Sequence, residues 1–292
     1  MRNPQSIRRM LRPLVALIAA VVAAVPMLFA SSAPAYVIGR ADRPVDFDCI
    51  GPSTYLQQAT GAASPSYTVA AGGGLITSWT TFAGSSLGAQ VKLAVFRPTG
   101  IPSQFATVGS SAAQTIHSGP NRGDTQIPVL AGDTIGLLIL SGIHQCALDS
   151  NPADIGQRDS LAVHDSGSTF TYSDPNDGAA VNVSASVMPA PRTVGLDASK
   201  SSVSKGKKVR LSGHVSSINP QACAFAQVLI LERRVTSKRA KPKPIAQITT
   251  DAQGRFKGKS KVKANSKFQV EAAQSAACGA ASSKQVKVTV RG

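Results

Sequence analysis

Hydrophobic and polar positions alternate along most of this chain. Gln90–Phe96 places Val91, Leu93 and Val95 on one side and Lys92 on the other, the period-two signature of a half-buried strand. Val181, Val183, Ala185 and Val187 repeat it. Thr134–Leu140 is instead an unbroken apolar run, which predicts a strand covered on both faces. Turn chemistry punctuates these segments at Gly72-Gly73-Gly74, Arg97-Pro98-Thr99-Gly100, Ala131-Gly132-Asp133 and Asp174-Pro175-Asn176-Asp177-Gly178. No stretch sustains a helical apolar period over three turns. Further strands are predicted at Lys208–Val215, Ala226–Arg234, Ile245–Thr250, Gly254–Val262, Phe268–Ala273 and Lys284–Val290, with a hairpin turn at Asp251-Ala252-Gln253-Gly254.

Pro189-Ala190-Pro191 interrupts the pattern, because two prolines favour an extended connector over a helix or a central strand. Charge changes there too. Residues 36–190 hold six Lys/Arg and eleven Asp/Glu, a net of −5, and residues 191–292 hold twenty-one and four, a net of +17. The pattern predicts an all-β protein of two β-sandwich domains, an acidic jelly-roll-like one at 36–188 and a basic immunoglobulin-like one at 193–292, joined by a linker at 189–192. The chain has 292 residues and only 16% charged positions, which excludes a polytopic membrane protein, a coiled coil, a collagen and a wholly disordered chain.

Residues 1–35 read as an export signal peptide. Arg2, Arg8, Arg9 and Arg12 precede the apolar Leu14–Ala30, interrupted only by Pro26, and Ala33-Pro34-Ala35 supplies a small-x-small cleavage pattern. The alternative is an uncleaved anchor, the one route by which the chain would touch a membrane. Export predicts a secreted, extracellular or envelope-associated protein whose four cysteines form disulfides, most simply Cys49–Cys146 and Cys223–Cys278, one within each half.

Residues 203–290 resemble the small immunoglobulin-like or carboxypeptidase-regulatory-like modules of secreted bacterial proteins, through Ser204-Lys205-Gly206-Lys207-Lys208-Val209, Val228-Leu229-Ile230-Leu231 and Thr249-Thr250-Asp251-Ala252-Gln253-Gly254-Arg255-Phe256. Residues 66–140 resemble the N-terminal domain of secreted actinobacterial surface proteins of unassigned function. The carriers there are Tyr67-Thr68-Val69-Ala70-Ala71-Gly72-Gly73-Gly74, Val95-Phe96-Arg97-Pro98-Thr99-Gly100 and Val129-Leu130-Ala131-Gly132-Asp133. The resemblances imply fold and compartment and transfer no catalytic residue.

No catalytic set is expected. Gly84-Ser85-Ser86-Leu87-Gly88 fits the spacing of a nucleophile elbow, but an alternating strand follows where that motif needs a helix. His164 and Asp165, neighbours in a strand, would point to opposite faces. His117, His144 and His214 show no recognisable partner. Asp46 with Asp48, and Asp174 to Gly178, have oxygen ligands for calcium but read as turns. His144-Gln145-Cys146 lacks the C-x-x-C partner of a zinc site. Neither metal nor cofactor is expected. Arg122-Gly123-Asp124 reads as a turn between strands. Trp79, with Tyr67 and Phe82 near it, is a weak candidate for stacking on a sugar ring, and a core residue otherwise.

The strongest binding signal is basic. Lys257, Lys259, Lys261 and Lys263 alternate with Gly258, Ser260 and Val262, so a strand would start all four ammonium groups from one face. Arg233, Arg234, Lys238, Arg239, Lys241 and Lys243 form a second cluster in a predicted loop with two prolines. Both would attract an anionic wall polymer or an anionic glycan. Nucleic acid is not expected, since the half holds only Phe225, Phe256 and Phe268 as aromatics. The competing explanation is lysine protecting an edge strand. The expected function is a non-enzymatic binding or structural protein of the cell envelope. Its first domain would present a glycan- or protein-binding surface and its second would act as spacer or electrostatic tether. The rival is a secreted hydrolase of envelope polymers using Ser86 or an Asp/His set.

Overall fold

The computed structural model describes residues 35–41, 47–84, 88–160, 162–172, 175–236 and 240–291. The export segment at 1–34, Ser86, Asp46 and Asp174 lie outside them, as do Lys238 and Arg239. The described residues are all-β, and none of them forms a helix. Accordingly, no helix among them is long and apolar enough to cross a membrane.

The first half runs β1 (Tyr36–Arg40), β2 (Phe47–Ile50), β3 (Ser53–Ala59), β4 (Gly74–Ala83), β5 (Gln90–Pro98), β6 (Gln104–Ser110), β7 (Gln114–Thr115) and β8 (Gly119–Val129). It continues through β9 (Thr134–Ser141), β10 (Ile143–Asp149), β11 (Ile155–Asp159), β12 (Thr169–Thr171), β13 (Pro175–Asp177), β14 (Ala179–Val181) and β15 (Val183–Met188). The second half is β16 (Arg192–Ala198), β17 (Ser202–Ser204), β18 (Lys208–Ser217), β19 (Gln227–Arg234), β20 (Lys243–Thr249), β21 (Arg255–Lys261), β22 (Ser266–Ala272), β23 (Ala281–Ser282) and β24 (Val286–Arg291).

In the first half, a four-stranded sheet β1-β15-β4-β8 and a three-stranded sheet β14-β10-β2 accompany an eight-stranded sheet in the order β12-β6-β5-β9-β3-β11-β13, with β7 pairing β5. The alternation explains the packing. Val91, Leu93 and Val95 enter the main core with Val183, Ala185 and Val187, while Ala94 and Phe96 between them face the other way. The apolar run on β9 is covered on both faces as expected: Ile135, Leu137 and Ile139 join the main core and Leu138 a smaller one with Leu56, Phe96, Phe105 and Tyr172. That second core exists because residues 162–172 strap across the outer side of the sheet, bringing Val163, Phe170 and Tyr172 onto it.

Trp79 is 1% exposed in the main core beside Tyr67 and Ile76, so it has no face to offer a sugar, and the stacking role is withdrawn. Arg122-Gly123-Asp124 is likewise no turn. It lies within β8, where Gly123 pairs with Trp79. A Cβ on Gly123 would sit 2.4 Å from the Trp79 Nε1, so the glycine leaves room for the indole.

The second half is a sandwich of β16-β18-β21 against β17-β24-β22-β19-β20. Its core joins Val209, Leu211 and Phe256 of the first sheet to Val228, Ile230, Phe268 and Val270 of the second. β17 pairs β24 in parallel, and the other strand pairs are antiparallel. The predicted strands fall close to observed ones, whereas β16, β17 and β23 were not foreseen.

Both disulfides join the expected cysteines, with Cα–Cα distances of 5.7 Å for Cys49–Cys146 and 5.8 Å for Cys223–Cys278. Cys49 and Cys146 tie the neighbouring strands β2 and β10. The second pair lies at the junction of the halves, packed with Leu75, Ala190 and Ala277. There Asn219 Nδ2 donates to the carbonyls of Gly74 and Val129, at 2.8 and 2.9 Å. The connector around Ala190 is hydrogen-bonded to the second half, Ala190 N–H to Ala277 O at 2.7 Å and Gly279 N–H to Ala190 O at 2.9 Å. The buried Arg192 donates to Gly279 O and Ala273 O.

Candidate functional site

β21 explains itself from its sequence. Gly258 turns inward, where a Cβ would stand 2.8 Å from Ile230 Cδ1, and Phe256 and Ser260 are buried on the same side. Lys257, Lys259 and Lys261 therefore point outward and are exposed; Lys263 is exposed beyond the strand end. The neighbouring strand follows the same rule. Val209, Leu211 and Val215 of β18 enter the core, and Lys208, Arg210 and Ser212 are exposed.

Register then creates what no single strand shows. Lys208 stands directly opposite Lys261, and Arg210 directly opposite Lys259. Two rows of cations run side by side, their members about 6.5–7 Å apart along each strand and the strands about 4.8 Å apart. Like charges facing each other across a ladder destabilise it. Among the described residues, no carboxylate pairs with Lys208, Arg210, Lys257, Lys259 or Lys261. Asp197 of β16, opposite Ser212, and Asp251, 3.8 Å from Arg255, stand at the margins. The turn at 204–207 abuts the end of β21, with Gly206 N–H donating to Val262 O and Val262 N–H to Lys207 O, so Lys205 and Lys207 extend the basic surface.

The two predicted clusters do not merge. Arg233 and Arg234 belong to β19, in the opposite sheet, rather than to a loop. Arg234 is 3.8 Å from the buried Glu232. Lys208 and Arg210 were missed as site residues. Their alternation within a predicted strand was readable, but their pairing with β21, some fifty positions away, was not.

His164 and His144 have partners that spacing did not reveal. His164 and Asp165 lie in the strap, not in a strand, and diverge. The His164 ring nitrogen is 2.7 Å from Asp159 and the ring stacks on Phe170 at 3.9 Å. Asp165 receives Lys92 Nζ at 2.7 Å and Ser110 Oγ at 2.6 Å, and these hydrogen bonds hold its carboxyl down to about 2. These contacts fasten the strap over Phe96 and Phe105. Among the described residues, no three His, Cys, Asp or Glu side chains are grouped to hold a metal ion.

His144 is buried at 1% exposure beside Thr81. The Thr81 hydroxyl gives its proton to Asn182 O at 2.7 Å, so it accepts from His144 Nε2–H at 2.9 Å, and the ring is neutral with an unpaired Nδ1. Burial pushes this imidazole down to about 4 from 6.5. The unfolded chain binds that proton below pH 6.5 and the folded chain only near pH 4. Stability is therefore full above 6.5 and falls as pH drops through the interval, by roughly 3 kcal/mol. His144→Gln should flatten the slope of unfolding free energy between pH 6.5 and 4 in denaturant titrations. An unchanged slope would mean that another group titrates there.

No protein-family model matches the sequence, and no curated protein matches it. Among solved structures, the chain is similar to a superoxide reductase (neelaredoxin) from Ignicoccus hospitalis, with 9% identity, a TM-score of 0.28, and coverage of 33% of this chain and 80% of that one. A likeness this slight carries no argument about fold or activity.

Proposed function

We propose that this is an exported, non-enzymatic envelope protein whose second half holds an anionic polymer against the β18–β21 face, tethering the acidic first half outside the cell. The N-terminal segment and the cystine pairs support export. One observation carries the binding reading: the unneutralised cross-strand pairs Lys208–Lys261 and Arg210–Lys259. Edge protection accounts for lysines on β21, which has a partner on one side only. It does not account for Arg210 of β18, whose backbone is hydrogen-bonded to Ser199 on one side while the residue pairs with β21 on the other; Lys208 lies beyond the last β16 pair, Ala198–Leu211. The Arg210–Lys259 pair costs stability, and its arginine protects no open edge; that cost is what an anion would relieve.

The test is retention of the purified protein on an immobilised polyanion as salt is raised. Screening shortens the reach of exposed charges from about 10 Å at 0.1 M to about 3 Å at 1 M, so wild type should elute well before the upper limit. Lys208→Gln/Arg210→Gln should elute at clearly lower salt with a melting temperature no lower than that of wild type, since the facing like charges are relieved. Elution of that variant with wild type would overturn the reading.

A further inference from the structure

We infer, resting on the electrostatic reading of this face, that its ligand is a linear phosphodiester polymer of a three-carbon polyol, lying between the two cation rows along the β18–β21 ladder. Pitch is the first argument. From Lys257 to Lys259 to Lys261, each step crosses two residues, or six backbone bonds, and spans about 6.5–7 Å. In such a polymer, six single bonds also separate one phosphorus from the next, P–O–C–C–C–O–P. An extended chain then stays in step with the lysines over successive rungs.

Placement of the charge is the second. The rows flank a line, and each of two successive rungs offers one cation from either side, Arg210 with Lys259 and then Lys208 with Lys261. A phosphodiester carries its charge in the backbone, with two unesterified oxygens that can serve both sides together. A polymer with carboxylates on side branches places its charge off its own axis and reaches one row at a time. Arg210 adds a planar fork suited to two oxygens of one phosphate.

The third argument separates this ligand from single-stranded nucleic acid, whose phosphates are also six bonds apart. Unstacked bases need aromatic platforms. Beside the cations, the outward positions here are Ser212, His214 and Ser216 on β18 and Thr193, Gly195 and Asp197 on β16, so the single imidazole of His214 is the one ring among them; Phe256 faces the core. The polarity of the track is also set. It is bounded by Asp251 at one end and reinforced at the other by Lys205 and Lys207.

The experiment uses the purified protein and three probes of matched charge number: synthetic poly(glycerol phosphate), poly-L-glutamate and an oligothymidylate, with affinity measured across a salt series. Poly(glycerol phosphate) should bind about tenfold tighter than either alternative at equal salt, and Arg210→Lys, which keeps the charge but not the planar fork, should weaken that binding several-fold. Equal affinity for all three overturns the phosphodiester inference and leaves the electrostatic reading standing. Preference for the oligothymidylate or for poly-L-glutamate overturns the inference in favour of that class. Absence of binding to any probe at low salt overturns the electrostatic reading itself.

Discussion

Arg97→Ala is expected to destabilise the protein by roughly 3 kcal/mol, seen as a lower denaturant midpoint at constant slope. Asp133 is fully buried and accepts Arg97 Nε at 2.7 Å, Arg97 Nη2 at 2.8 Å and the Leu130 N–H at 2.8 Å. Truncating the arginine leaves a desolvated carboxylate with one backbone donor. The reverse change is milder, because the Arg97 side chain is 37% exposed and can turn to water. Arg97→Lys should recover only part of the loss, since an ammonium cannot reproduce the two-pronged contact. Arg97→Met/Asp133→Leu should be less damaged than Arg97→Ala, because no buried charge is then stranded and only the Leu130 N–H loses its acceptor. A loss under about 1 kcal/mol for Arg97→Ala would show that water or another group takes over the carboxylate.

The same contact shows how far local reading reaches. Arg97-Pro98-Thr99-Gly100 and Ala131-Gly132-Asp133 were legible as turns, because proline and glycine impose their dihedral preferences within three or four residues. That the first turn's arginine would seize the second's aspartate depends on β5 pairing β9, and on Val69 N–H and Ile135 N–H closing the Tyr67–Val69 segment against them. Alternation likewise gave the strands, since side-chain direction is a property of each strand alone. Which strands become neighbours is not, so the cation rows on β18 and β21 were half visible and the His164–Asp159 contact not at all. Trp79 was ambiguous for a related reason: an aromatic in an alternating segment suits a core or a binding face equally, and only Gly123 opposite it decides. β16 and β17 were hidden by a segment whose polar residues outnumber its apolar ones, held in place by pairing more than by its own pattern.

Removing the disulfides should have the largest effect. In the chain-entropy view, the cross-link over 97 residues between Cys49 and Cys146 contributes up to about 5 kcal/mol, and that over 55 residues between Cys223 and Cys278 up to about 4 kcal/mol. Cys49→Ala/Cys146→Ala should therefore lower the melting temperature most, through the first core that β2 and β10 border. Cys223→Ala/Cys278→Ala should act differently. Its sulfurs pack on Leu75 and Ala190, and Cys223 N–H donates to the carbonyl of Asn219, the residue whose side chain grips Gly74 and Val129. Loosening that loop should release the junction before either sandwich unfolds. Amide exchange at Ala190 and Gly279 should quicken in this variant, while exchange in the paired strands β5 and β9 keeps its wild-type rate. Uniform acceleration across all of these amides would mean that the bridge stabilises the molecule only as a whole and that the junction has no independent opening.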